Sequence, residues 1–141
     1  MMRRSLVLGL VLGLLPLAGC ARHGPSLPEP VPARGKVLLP SGQPLRAGRV
    51  QFNRLDPPNV DAFGDVAADG SFTLTTYKPD DGAVPGRYVV TISPYNYRHK
   101  SGSPVRAEGA AQIPAKYLEA ETSKLEVEIT DGENVLEVKL K

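Results

Sequence analysis

The 141-residue chain has no tryptophan, one cysteine, two histidines, three phenylalanines and five tyrosines. The single cysteine, Cys20, excludes any intramolecular disulfide. Of the two histidines, His23 falls in a proline-rich stretch, so His99 is left as the only imidazole for a folded domain. That is too few for the histidine-based metal centres of enzymes, and neither a metal nor a cofactor is expected. No helical hydrophobic period is sustained, and no apolar run reaches the roughly 20 residues a membrane-spanning helix needs. Net charge is nearly absent as well. There are 17 Lys and Arg against 15 Asp and Glu, and because Arg3 and Arg4 both precede the first apolar run, the remainder balances at 15 of each. Nothing in that balance draws the chain to nucleic acid.

What is present begins at the N-terminus. Met1-Met2-Arg3-Arg4-Ser5 is followed by an apolar run from Leu6 to Leu15 and then by Pro16-Leu17-Ala18-Gly19-Cys20. This is the layout of an export leader, since the run is short and ends at a helix-breaking proline. Leu17-Ala18-Gly19-Cys20 resembles the lipobox of bacterial lipoproteins: an aliphatic residue, two small residues and a cysteine directly after the apolar run. The resemblance implies cleavage before Cys20, a diacylglycerol thioether on its sulfur and a further acyl group, such as palmitate, on its amine. One acyl chain binds a membrane only marginally and two anchor it stably, at roughly 0.8 kcal/mol per buried methylene. Ala21, rather than Asp, follows the cysteine, which by the same resemblance favours the outer membrane. The expected organisation is a signal peptide over 1–19, a lipidated cysteine and tether over 20–32, and a domain over 33–141, facing the periplasm or the exterior.

Residues 21–32 carry four prolines and no apolar period, and read as a semi-extended tether reaching roughly 3 Å per residue. Beyond it, fourteen Gly and fourteen Pro in the chain favour a turn-rich β domain. Short alternating runs are expected at 35–39, 49–53, 63–67, 71–75, 87–92, 125–129 and 136–140. Val50 and Phe52 should share an inner face, as should Phe72 with Leu74, and Tyr88 with Val90 and Ile92. Asp69-Gly70 and Asp131-Gly132 are turn pairs tolerant of positive φ, and each is expected to close a hairpin. Seven such strands predict an all-β, antiparallel sandwich. The stretch 95–124 lacks alternation. A connection that long is functional, mobile or contains unrecognised structure, and Pro114 to Ala120 within it suits a turn or two of helix.

Several segments together resemble bacterial lipoproteins with a carboxypeptidase-regulatory-like, transthyretin-like domain: Gly35-Lys36-Val37, Ser41-Gly42-Gln43-Pro44-Leu45, Gly48-Arg49-Val50-Gln51-Phe52, Asp69-Gly70-Ser71-Phe72-Thr73-Leu74, Asp81-Gly82-Ala83-Val84-Pro85-Gly86-Arg87-Tyr88, Ile113-Pro114-Ala115-Lys116-Tyr117 and Asn134. The resemblance implies a seven-stranded Greek-key sandwich of accessory or binding type. It speaks for fold more than function, because these are turn and core residues.

Chemistry is sparse. Hydroxyisourate hydrolases resemble transthyretin and use a histidine- and arginine-lined cleft with a C-terminal Tyr-Arg-Gly-Ser, whereas this chain ends Val138-Lys139-Leu140-Lys141. A small hydrolase of that fold is the weaker alternative, and the chain reads as a non-enzyme with no catalytic residues. The acidic turns at Asp80-Asp81-Gly82 and Asp131-Gly132-Glu133 are turn chemistry, without the alternating oxygen ligands of a calcium loop. The most distinctive polar cluster is Tyr95, Tyr97, Arg98 and His99, leading into Arg106. Such a 95–106 loop is suited to stacking on a sugar or gripping an acidic group. The expected function is a membrane-anchored, non-catalytic binding or structural module of the cell envelope with a protein or glycan partner, and the alternative is a glycan-binding module using that loop. Mass spectrometry of the mature chain is expected to find Cys20 at the N-terminus carrying acyl chains, and Cys20→Ala to block both modification and membrane retention. An unmodified cysteine, or cleavage elsewhere, overturns this.

Overall fold

The computed structural model describes residues 26–96, 102–107 and 109–141. Its strands are β1 (Ala33–Leu38), β2 (Arg49–Arg54), β3 (Ala62–Asp65), β4 (Ser71–Thr73), β5 (Gly86–Ser93), β6 (Tyr95–Asn96), β7 (Val105–Arg106), β8 (Glu126–Ile129) and β9 (Asn134–Lys139), with a one-turn helix α1 at Ala120–Ser123. Among the described residues no helix is long and apolar enough to cross a membrane. The fold is all-β.

Two sheets form around one core. The first is β3-β2-β5-β8, antiparallel throughout, and the second is β4-β1-β9, while β6 and β7 make a separate two-stranded ribbon. The period-two pattern does what it should, since Val50, Phe52, Tyr88, Val90, Ile92, Phe72 and Leu74 are all buried. Phe52 lies with its ring centroid 6.0 Å from that of Phe72 across the sheets and 6.0 Å from that of Tyr88 beside it, both in tilted or edge contact. Such pairs contribute about 0.5–1.5 kcal/mol beyond the area they bury.

Two expectations are corrected. The second sheet is mixed, because β1 and β9 run parallel over six register pairs from Ala33↔Asn134 to Leu38↔Lys139. The expected hairpin of 125–129 with 136–140 does not form, because β8 bonds to β5 and β9 to β1, in different sheets. Asp131-Gly132 does turn the chain, with Gly132 at φ 96°, but it carries it from one layer to the other. Alternation tells a strand which face is apolar and leaves its neighbour unspecified. The Asp69-Gly70 turn behaves similarly: Gly70 N–H donates to Ala67 O at 2.9 Å, yet β3 and β4 flanking it belong to different sheets, joined by the Phe63↔Thr75 bridge.

Asn134 secures the β8–β9 crossover. Its buried amide accepts from Thr130 N–H at 3.0 Å and donates to Thr130 O at 2.9 Å and Gly132 O at 3.1 Å. The incoming chain is held at the same end of the molecule. Val31 exchanges two backbone hydrogen bonds with Ala83, at 2.9 and 3.0 Å, and Pro32 O accepts from Asn134 N–H. Gly82 permits this approach, for at φ 96° any Cβ there would sit 1.8 Å from Val31 O. The proline-rich stretch thus joins the domain at Val31, two residues before β1.

Strand register gives the molecule two poles. Arg54 of β2 pairs with Tyr88 near the start of β5, and Arg49 with Ser93 at its end. The chain docks through Ala83, next to the start of β5, and β6 follows its end, so the eight-residue strand separates the two by about 23 Å at ~3.3 Å per residue. Asn134→Ala leaves the Thr130 N–H and two carbonyls without partners, and is expected to destabilise the fold by about 1–3 kcal/mol in chemical denaturation. A change below about 0.5 kcal/mol would show that water replaces the amide freely.

Candidate functional site

Of the sequence-predicted site residues, Tyr95 falls within the described structure, whereas Cys20, Tyr97, Arg98 and His99 lie outside the described residues. Tyr95 opens the two-stranded ribbon. It stands opposite Arg106, with Asn96 opposite Val105, and Ala107 N–H donates to Pro94 O at 2.7 Å to close the base. Tyr95 and Val105 are each 40% exposed, and Arg106 is exposed. The ribbon therefore presents a phenol, an aliphatic side chain and a guanidinium at the pole away from Val31.

The 95–124 connection contains structure that sequence reasoning only partly anticipated. Beyond the ribbon it forms 3₁₀ turns at Ala110–Gln112 and at Ala115–Tyr117, the latter preceded by Pro114, and then α1. Ile113 and Tyr117 enter the core. The Tyr117 hydroxyl accepts from Lys141 N–H at 2.8 Å, pinning the chain after β9. β5 has eight residues against four in β8, and the connection satisfies part of the excess: Leu125 O accepts from Val90 N–H at 2.8 Å, and the Ser123 hydroxyl donates to Val90 O. The segment is thus tied to the four-stranded sheet on both sides of the ribbon.

Beside the connection lies a cleft of about 240 Å³ lined by Leu39, Gln43, Pro44, Leu45, Arg46, Gly109 and Gln112. Its polar groups come from the β1–β2 loop and from the first 3₁₀ turn. No motif in the sequence links these two segments, so chain folding alone brings Gln43, Arg46 and Gln112 together.

Other polar groups are committed to the fold. The Arg54 guanidinium donates to Asp56 O at 2.8 Å and to Val84 O and the Tyr88 hydroxyl at 3.1 Å each, and Tyr88 donates to Val84 O at 2.6 Å. Burial pushes the Tyr88 phenol above its ordinary value, against the opposing pull of Arg54. A side chain at Gly86 would meet that guanidinium within 2.6 Å. In the acidic turn before β5, the Asp81 carboxylate accepts from the N–H groups of Thr76, Tyr77 and Lys78 at 2.7, 3.0 and 2.8 Å. Among the described residues no group of three or more His, Cys, Asp or Glu side chains clusters as metal ligands would.

Comparison with protein-family models, curated proteins and solved structures found no match.

Partial burial raises the Asp81 carboxyl, but the three N–H donors outweigh it and hold the group below its ordinary 3.8. A depressed folded value stabilises the protein above the unfolded value, and that contribution disappears as pH falls through the folded one. Asp81→Asn is therefore expected to cost about 1 kcal/mol at pH 7, the size of a lost helix cap. Thermal melts should show the gap from the parent chain closing below about pH 3.8. A gap independent of pH overturns the assignment.

Proposed function

We propose that this protein is a lipid-anchored lipoprotein of the cell envelope whose transthyretin-like, Greek-key sandwich is a non-catalytic binding or structural module. The observation that carries the reading is the opposition of the two poles: the chain docks at Val31 on one, while the Tyr95–Arg106 ribbon and the Gln43–Arg46–Gln112 cleft open at the other. A proline-rich stretch before Val31, preceded by an aliphatic residue, two small residues and Cys20, is what a tethered module needs. The tether keeps the domain clear of lipid and leaves the far pole free of the attachment.

The transthyretin-like reading draws support from the strand order, β3-β2-β5-β8 over β4-β1-β9, with a helical turn inserted between β5 and β8. The binding reading draws support from where polar groups are left uncommitted. Tyr88, Arg54, Asp81 and Asn134 are consumed in holding loops at the tether pole, whereas the exposed Tyr95 and Arg106 do no comparable structural work among the described residues. The outer membrane remains the proposed location, on the residue after Cys20.

The test exploits the exposure of Ser103 at the ribbon pole and Asn59 at the tether pole. A photo-reactive residue placed at each in turn, in intact cells, is expected to give adducts with an envelope component from position 103 and none from position 59. Equal labelling from both positions, or none from 103, overturns the assignment of the far pole as the working surface.

A further inference from the structure

We propose that two copies of the chain pair antiparallel along β9, joining their second sheets into one continuous six-stranded sheet. β9 is the outermost strand of the β4-β1-β9 sheet, bonded to β1 alone. Asn134 N–H and Leu140 N–H donate inward to Pro32 O and Leu38 O, so the even-numbered residues face β1. The backbone N–H and C=O groups of Val135, Glu137 and Lys139 consequently point away from the sheet, and among the described residues no strand bonds to them.

An open edge is a hazard that proteins blunt with short strands, bulges, prolines or charged side chains. β9 lacks the first three. It is six residues long, its register with β1 is unbroken, and residues 134–139 contain neither proline nor glycine. The other outer strands are shorter, with three residues in β4 and four in each of β3 and β8. Val135, at 72% exposed, is also the most exposed large hydrophobic residue described.

The charges on this edge are where self-recognition becomes specific. Glu137 and Lys139 alternate in sign on the outer face, and each is more than half exposed. In one antiparallel register, with Val138 on the two-fold axis, Glu137 of each copy faces Lys139 of the other, and both residues carry outward backbone groups that can close the ladder. Moving one step in either direction sets Glu137 against Glu137 or Lys139 against Lys139. Directly opposed unlike charges favour a strand pair and like charges oppose it; with Lys139 on the axis Glu137 would still find Lys141, but of these three registers only the one with Val138 on the axis makes every opposed pair of charges unlike. In that register Val135 faces Lys141 of the second copy, whose aliphatic stem can cover it. Within one copy the two charges already pair with each other at 2.8 Å, and the exchange only swaps partners. An isologous contact of this kind is closed and stops at two copies.

The arrangement goes beyond the proposed function and does not depend on the anchor. If both copies are anchored, their tethers leave from opposite ends of the pair. Each proline-rich stretch of about a dozen residues, at roughly 3 Å per residue, is long enough for both to reach one bilayer with β9 running parallel to it and the pair held clear of lipid.

Sedimentation equilibrium of the full-length chain in density-matched detergent tests the proposal. The parent chain is expected to show a monomer–dimer equilibrium. Glu137→Lys and Lys139→Glu, each of which turns both cross-strand pairs repulsive, should raise the dissociation constant at least about tenfold. The double reversal, which restores both pairs with signs exchanged, should recover it to within about threefold. A chain that stays monomeric throughout, single reversals without effect, or a double variant as weak as the singles would each overturn the proposal. Because both side chains are exposed, thermal melts of the three variants run below the parent's dissociation constant should match the parent, separating lost pairing from lost folding.

Discussion

The contact on which the rest of the structure depends is Phe52 between Phe72 and Tyr88. The chain has one cysteine and no tryptophan, so neither a disulfide nor a large indole joins its two layers. Three of its eight aromatic residues meet at the interface instead, Phe52 and Tyr88 from the four-stranded sheet and Phe72 from the other. Truncating a buried phenylalanine costs about 3–5 kcal/mol, a large part of the 5–15 kcal/mol that separates folded from unfolded domains. Tyr88 extends the joint into the loops: its hydroxyl reaches Val84 O and receives Arg54, whose guanidinium also binds the 54–62 turn through Asp56 O. The apolar centre and the pole where Val31 docks are thus fastened through one side chain.

The two ends of the molecule use their polar side chains differently. The tether pole is dense in side chains bonded to backbone: Asp81 to three N–H groups, Asn134 to Thr130 and Gly132, Arg54 to two carbonyls. These bonds hold the loops where Val31 docks. At the far pole the connection after β5 is fastened by Ile113, Tyr117 and Ser123.

The sheet edges show why two apparently equivalent strands have different consequences. β8 is short, and the residues before it continue its work on β5 through Leu125 O and the Ser123 hydroxyl. β9 runs its full length beside β1, and among the described residues no strand is bonded to its other side. What guards it is charge, and because Glu137 and Lys139 differ in sign, that guard admits a partner of matching order.

The sequence by itself determined which residues face inward and where the chain turns. Val50, Phe52, Phe72, Leu74, Tyr88, Val90 and Ile92 were legible because a strand's side chains alternate with a period of two, and Gly70 and Gly132 because a positive φ suits few other residues. It could not assign neighbours. The parallel pairing of Ala33 with Asn134 joins residues about a hundred positions apart, and the Leu125–Leu140 stretch reads as a hairpin although its halves lie in different layers. The cleft of Gln43, Arg46 and Gln112 and the open edge at Val135 were equally invisible. Alternation is a local property set by backbone geometry. Which strand lies beside which is decided only when both layers close over the same aromatic core.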